Sequence, residues 1–186
     1  MISVEDYLAG ELVFPVKHEY LGGFVYAMAG GRNAHNLIAT NVTTAMGIRL
    51  RGRRCRAYNS DTKIRVRLPT HWRFYYPDAS VTCRPNSPGD TFQDEPAVIV
   101  EVLSKGTRRL DEGEKKEAYL AIGSLSVYVL VEQTTAAVVA YRRTEHGFAR
   151  EVLRGNDAIL ALPEIEAELP LGEIYDGVEL MPENDN

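Results

Sequence analysis

Ala97-Val98-Ile99-Val100-Glu101-Val102-Leu103 decides how the rest of the chain is read. A continuous apolar run of this length belongs to a strand buried on both faces in the middle of a sheet. Glu101 interrupts it. An ionised carboxylate in such a place costs several kcal/mol even after its surroundings relax, so it has to be protonated, paired with a cation or bound to a metal. One strand therefore predicts a central sheet and, on it, either a chemical centre or, as in a structural or interaction domain, a buried ion pair between Glu101 and one of the arginines.

On the C-terminal side the pattern predicts a helix over 110–122 and a strand over 126–132. That strand-helix-strand unit makes a parallel pair with a right-handed crossover. Val138 to Arg142 and Phe148 to Leu153 add antiparallel strands at an edge. On the N-terminal side, 84–96 is rich in Pro, Gly, Asn and Asp and reads as a loop. Strands are expected over 54–58, 62–67 and 74–82, the last two pairing as a hairpin. Before them Asn33 caps a helix of about twenty residues, in which Leu37, Thr40, Asn41, Thr44 and Ile48 recur at three- and four-residue spacing until Gly52 stops the pattern. Glu19 to Met28 reads as a strand or hairpin around Gly22-Gly23, and Ser3 caps a short helix through Leu8. The expected fold is α/β: a central mixed sheet flanked by helices, in a single domain over 1–181, with a frayed acidic tail over 182–186.

Composition agrees with a globular protein. Of 186 residues, 45% are hydrophobic and 25% charged, with no internal repeat or low-complexity tract. The longest apolar run falls far short of the roughly 18 residues that span a bilayer. The N-terminus lacks a basic start and a following apolar stretch, so the cytoplasm is the expected compartment. Cys55 and Cys83 lack CxxC spacing, which argues against a zinc site or a disulfide framework and leaves two reduced thiols as the expectation.

The net charge of −5 speaks against indiscriminate nucleic-acid binding, but it is unevenly spread. Between Arg32 and Arg73 stand ten Lys or Arg against one acid, Asp61, while the remainder holds 11 basic and 25 acidic residues. Part of the folded surface could thus attract phosphates. The competing reading is a solvated helix end and an exposed hairpin, with Asp61 pairing with a nearby arginine.

Asp78 follows Pro77, which cannot donate to a sheet ladder and so marks an irregularity where a side chain can be aimed into a cleft. On the helix after Glu101, Lys115 shares a stripe with Asp111, Ala118, Tyr119 and Ile122, whereas Lys116 lies with Glu112 and Leu120. The first stripe is the more apolar, so Lys115 is expected to face the sheet and Lys116 the solvent. The structural alternative for Lys115 is an ion pair with Asp111. His35, near the start of the long helix, reads more readily as a capping or packing residue than as one facing the acids.

Pro77-Asp78, Glu101 in Val-Glu-Val-Leu and Lys115 on the next helix together resemble the PD-(D/E)XK nuclease superfamily. The usual pattern has a lysine two residues after the second acid, and here that position is Leu103. The chain more closely resembles the Uma-type restriction endonuclease family, in which the following helix supplies the lysine. The matching stretches are Glu19-Tyr20-Leu21, His35-Asn36, Ser60-Asp61, Tyr76-Pro77-Asp78, Val100 to Ser104 and Glu114-Lys115, covering about Tyr7 to Arg143. Lys105, where that family reads Ser-Pro-Ser after its Glu-Val-Leu, competes for the lysine role. The resemblance implies that Glu19, Asp78 and Glu101 bind Mg²⁺ or Mn²⁺, with Glu11 as the alternative to Glu19. It further implies that Asp78, Glu101 and Lys115 are catalytic and that the reaction is hydrolysis of DNA phosphodiester bonds. Cutting both strands would call for two sites and so for a homodimer. A non-catalytic nucleic-acid-binding or accessory protein keeping the fold is the alternative, to which Leu103 lends force.

Overall fold

A computed structural model describes residues 1–180; the tail expected to fray lies outside them. Helix α1 (Val4–Glu11) leads into strands β1 (His18–Leu21) and β2 (Phe24–Ala27), followed by the long helix α2 (Asn33–Arg49). Then come β3 (Arg56–Asn59), β4 (Lys63–Arg67), β5 (Trp72–Tyr75), β6 (Ala79–Thr82), β7 (Phe92–Gln93) and β8 (Pro96–Val102). Helices α3 (Arg108–Asp111) and α4 (Glu114–Leu120) precede β9 (Val127–Val131), β10 (Ala137–Thr144), β11 (Gly147–Arg154), β12 (Ile159–Leu162), β13 (Ala167–Pro170) and α5 (Leu171–Ile174).

The strands form a five-stranded sheet ordered β2-β1-β5-β4-β7, a six-stranded sheet ordered β11-β10-β9-β8-β6-β3, and the hairpin β12-β13. As expected, β8 is central, parallel to β9 and antiparallel to β6. Its alternation sorts two cores. Val98, Val100 and Val102 pack with Ile38, Val42 and Met46 of α2. Ile99 and Leu103, and with them Glu101, face the other way, toward Ile64, Val66 and Tyr75 of the five-stranded sheet and Tyr119 of α4. Glu101 thus lies in the layer where the two sheets meet. No helix among the described residues is long and apolar enough to cross a membrane.

Several local expectations are corrected. The single strand over 74–82 is two strands in different sheets, divided at Tyr76-Pro77-Asp78; the proline has no N–H to carry a ladder through. The loop over 84–96 contains β7, paired in parallel with β4. The helix over 110–122 is two helices, because the chain turns at Gly113, where a Cβ would stand 2.8 Å from the Arg109 carbonyl oxygen. Helix α1 runs on to Glu11. Asn33 is the first residue of α2, and Arg32 is its N-cap with no side-chain capping bond. The buried stripe of α2 is Ile38, Val42, Ala45 and Met46, while Leu37 and Ile48 are exposed.

Cys55 and Cys83 are joined in a disulfide, against the expectation of two free thiols. They flank β3 and β6, whose register pairs Arg56 with Thr82 and so brings the two cysteines opposite each other. The basic stretch is not a continuous cationic surface. Arg49 pairs with Glu173, Arg53 with Glu166, Arg65 and Arg67 with Asp94, and Arg73 with Glu114. Asp61 pairs with Lys17 at 2.6 Å rather than with an arginine.

The firmest of these pairs pins β4 to the loop after β7. Arg65 donates from Nε and Nη2 to the two Asp94 oxygens, both at 2.6 Å, with its guanidinium 4.2 Å from the Phe92 ring centre. Burial alone would raise the Asp94 pKa, but the hydrogen bonds from Arg65 and Asn86 and the charges of Arg65 and Arg67 outweigh it and hold it low. A carboxyl depressed in the folded state stabilises fully above its unfolded pKa, about 3.9, and that contribution is lost as pH falls through the folded value. Asp94→Asn should therefore be less stable than wild type by about 1.5–3 kcal/mol near neutral pH. In urea denaturation the difference should shrink below about pH 4; a constant difference down to pH 2 would assign the effect to packing.

Candidate active site

Glu19, Glu101 and Lys115 meet between the sheets, and Asp78 lies alongside. Residues Ala79 and Val100 are paired partners, so Asp78, just before β6, comes alongside Glu101 and Val102. Its Oδ2 accepts the Val102 N–H at 2.7 Å, and its Oδ1 lies 2.9 Å from His35 Nε2. Glu19 projects from β1 of the other sheet and Lys115 from α4. The Lys115 ammonium stands 2.8 Å from Glu19 Oε1, 3.4 Å from Glu101 Oε1 and 3.7 Å from Asp111 Oδ1. Tyr119, one turn on from Lys115, donates its hydroxyl to Glu101 Oε1 at 3.1 Å.

The electrostatics follow from three carboxylates sharing one ammonium, all of them at most 10% exposed. Burial pushes Glu101 well above the usual carboxyl range; Lys115 opposes this, while Asp111, Asp78 and Glu19 push it further. Asp111 is raised for the same reasons, burial first. Burial by itself would lower Lys115, but Glu101, Glu19 and Asp111 outweigh it and hold its pKa up. These surroundings favour the charged form of Lys115 and the protonated form of Glu101. The bond to Asp78 raises His35, with burial opposing.

Asp78, Glu101, Lys115 and Glu19, read from the sequence, are brought to one region. Glu11 is not: it bonds His18 and accepts the Tyr76 hydroxyl. Lys105 is exposed beyond the end of β8. The expected choice between metal-facing acids and an Asp111 ion pair for Lys115 is resolved as a shared contact. His35 corrects its bland reading, since it faces Asp78. Lys116, expected in solvent, lies half-buried with its ammonium 5.2 Å from the Tyr141 ring centre. Sequence reading missed Asp111 and Tyr119 as members of the site; their signal was the stripe they share with Lys115.

Among the described residues no three Asp, Glu, His or Cys side chains converge as a ready metal cage. The carboxylates are gathered around the ammonium instead. The donor set still fits a hard divalent cation. Mg²⁺ is commonly held by one or two carboxylates with water filling its octahedral shell, and the buried Asp111 Oδ1 has no hydrogen-bond partner.

Comparison with known proteins gives the family and the fold. The model of the Uma2 family, described as "Putative restriction endonuclease", matches residues 4–172. The chain belongs to the Uma2 family. Two uncharacterized proteins of Synechocystis sp. are relatives. One is 37% identical over 147 residues, covering 78% of this chain and 76% of its own. The other is 25% identical over 146 residues, covering 77% and 81%. A crystal structure from Anabaena variabilis, described as "a putative nuclease belonging to DUF820", superposes with a TM-score of 0.73 at 18% identity, covering 96% of this chain and 100% of that one. This likeness shows that the Uma2 chain has that protein's mixed α/β fold.

Removing the shared cation tests the arrangement. Lys115→Met leaves three buried carboxylates without it and should destabilise by about 3–5 kcal/mol. Adding Glu101→Gln to that variant should restore about 0.5–3 kcal/mol, as expected for coupled neighbours. Urea midpoints at pH 7 would show it; strictly additive losses would mean that the two residues do not interact.

Proposed function

We propose that this chain is a metal-dependent endonuclease that hydrolyses phosphodiester bonds in DNA. The observation that carries the reading is the buried excess of carboxyl groups over cation where the two sheets meet, with a further acid, Asp78, just before the adjacent strand β6. A fold that needed only a structural ion pair would match one acid to one base. The description of the Uma2 family supports the reaction class, and its restriction-endonuclease label supports DNA as the substrate.

In this reading Asp78 and Glu101, with Glu19 completing the acidic set, hold Mg²⁺ or Mn²⁺. The metal's chemistry, when bound, is to polarise a phosphoryl oxygen and acidify a water. The chain's own residues do the rest. His35 and the Val102 N–H fix the orientation of the Asp78 carboxylate. Tyr119 does the same for Glu101. Lys115, kept charged by its neighbours, supplies a cation for the negative charge that develops on the phosphoryl oxygens, and it positions the attacking water. Leu103 occupies the usual lysine position but is fully buried in the core with Tyr119, so α4 is the source of the ammonium.

Plasmid nicking with Mg²⁺ or Mn²⁺ tests the assignment. Asp78→Ala, Glu101→Gln and Lys115→Arg should each lower the rate at least about 100-fold, the scale of losing one electrostatic or acid-base contributor. Melting temperature in the same buffers, with and without metal, separates failure to bind the ion from failure of the chemistry. Cleavage that survives all three substitutions would overturn the assignment. DNA binding without cleavage by wild type would establish the alternative, a non-catalytic DNA-binding protein.

A further inference from the structure

Strand β2 carries a feature that the acidic centre does not use. All four of its residues are exposed, and two are aromatic, Phe24 at 59% and Tyr26 at 55% exposure. Its register with β1 sets Tyr26 opposite Glu19 and Phe24 opposite Leu21. Directly opposed residues of an antiparallel pair project from the same face. Both rings therefore stand on the face from which Glu19 reaches Lys115. Toward β5 and β4 that face is closed by the core shared with α4 and β8, which Leu21 borders. At β2 the same face is open to solvent.

Exposed cations follow both β2 and β8 in the chain. Arg32, the exposed N-cap of α2, lies one turn before His35, which holds Asp78. Lys105 and Arg109 are exposed just beyond the β8 segment that carries Glu101. Open aromatic rings on β2, with exposed Arg32 five residues past the end of that strand, match an unpaired nucleotide: the ring takes the base face and the cation takes the phosphate. The bases of an intact duplex are already stacked and reach such rings only after unpairing.

We propose that Phe24 and Tyr26 form a stacking platform for unpaired bases of the DNA strand led to the acidic centre, so that single-stranded or frayed DNA is the preferred substrate. This rests on the nuclease reading above. Bases stack on the two rings while Arg32 holds the phosphate between the platform and Asp78.

The test is fluorescence anisotropy in EDTA, so that no strand is cut, with a labelled single-stranded oligonucleotide and a blunt duplex of the same sequence. Phe24→Ala and Tyr26→Ala should each weaken single-strand binding about 5- to 150-fold and leave duplex binding within about twofold, while Tyr26→Trp should keep wild-type affinity. Unchanged single-strand affinity in the doubly substituted protein would overturn the proposal, as would equal losses on both probes. So would unchanged binding together with a drop from dimer to monomer in light scattering, which would assign the strand to a second copy of the chain. The nuclease reading fails separately. Wild type that binds single strands by way of the rings but cuts nothing with Mg²⁺ or Mn²⁺ keeps the platform and loses the enzyme. Variants that bind and cut like wild type keep the enzyme and lose the platform.

Discussion

The Lys115 ammonium is the point on which the structure turns. It reaches Glu19 on one sheet, Glu101 on the other and Asp111 on the preceding short helix. Removed from water, each of these charges would be costly by itself, and the acids around Lys115 are what favour its charged form. The contact therefore locates the two sheets relative to each other as much as it builds a site. A hydrophobic junction would hold the sheets as firmly. It would not gather three carboxyl groups around one ammonium.

Local geometry explains how distant residues come together. Strand β8 presents Glu101 to the layer between the sheets while its alternate residues face α2. The bend at Gly113 lets two short helices replace one long one, and Asp111 and Lys115, on either side of the bend, still point the same way. Tyr119 continues that line to Glu101. Glu101 is thus held from Lys115 and Tyr119, and Asp78 from His35 and the Val102 N–H, which restrains each of these two carboxyl groups from two sides.

Much of this was legible in the sequence because its signals are local. The apolar run around Glu101 announced a central strand, and the helical stripe chose Lys115 over Lys116. What escaped depended on long-range pairing. The stretch 74–82 has the pattern of one strand, and only the pairing of its halves with different sheets reveals two. The α2 stripe was misjudged because Leu37 and Ile48 are apolar at helical spacing yet lie on the exposed side, while small Ala45 lies within. His35 was ambiguous until the strand carrying Asp78 came to rest beside it. The partners that neutralise the arginine-rich stretch are scattered from Asp94 to Glu173, and no reading of that stretch alone could find them. Cys55 and Cys83, 28 residues apart, meet only through the register of β3 and β6.

The break at Tyr76-Pro77-Asp78 is where the chain leaves one sheet for the other. At the same three residues, Tyr76 N–H is 3.4 Å from Glu19 Oε1, and Asp78 takes up the Val102 N–H. The crossing is therefore also a ruler. Lengthening it by one residue would shift β6 against β8 and turn Asp78 to the opposite face, while freeing the Tyr76 amide from Glu19. The length of this segment is therefore tied to where the Asp78 carboxylate stands.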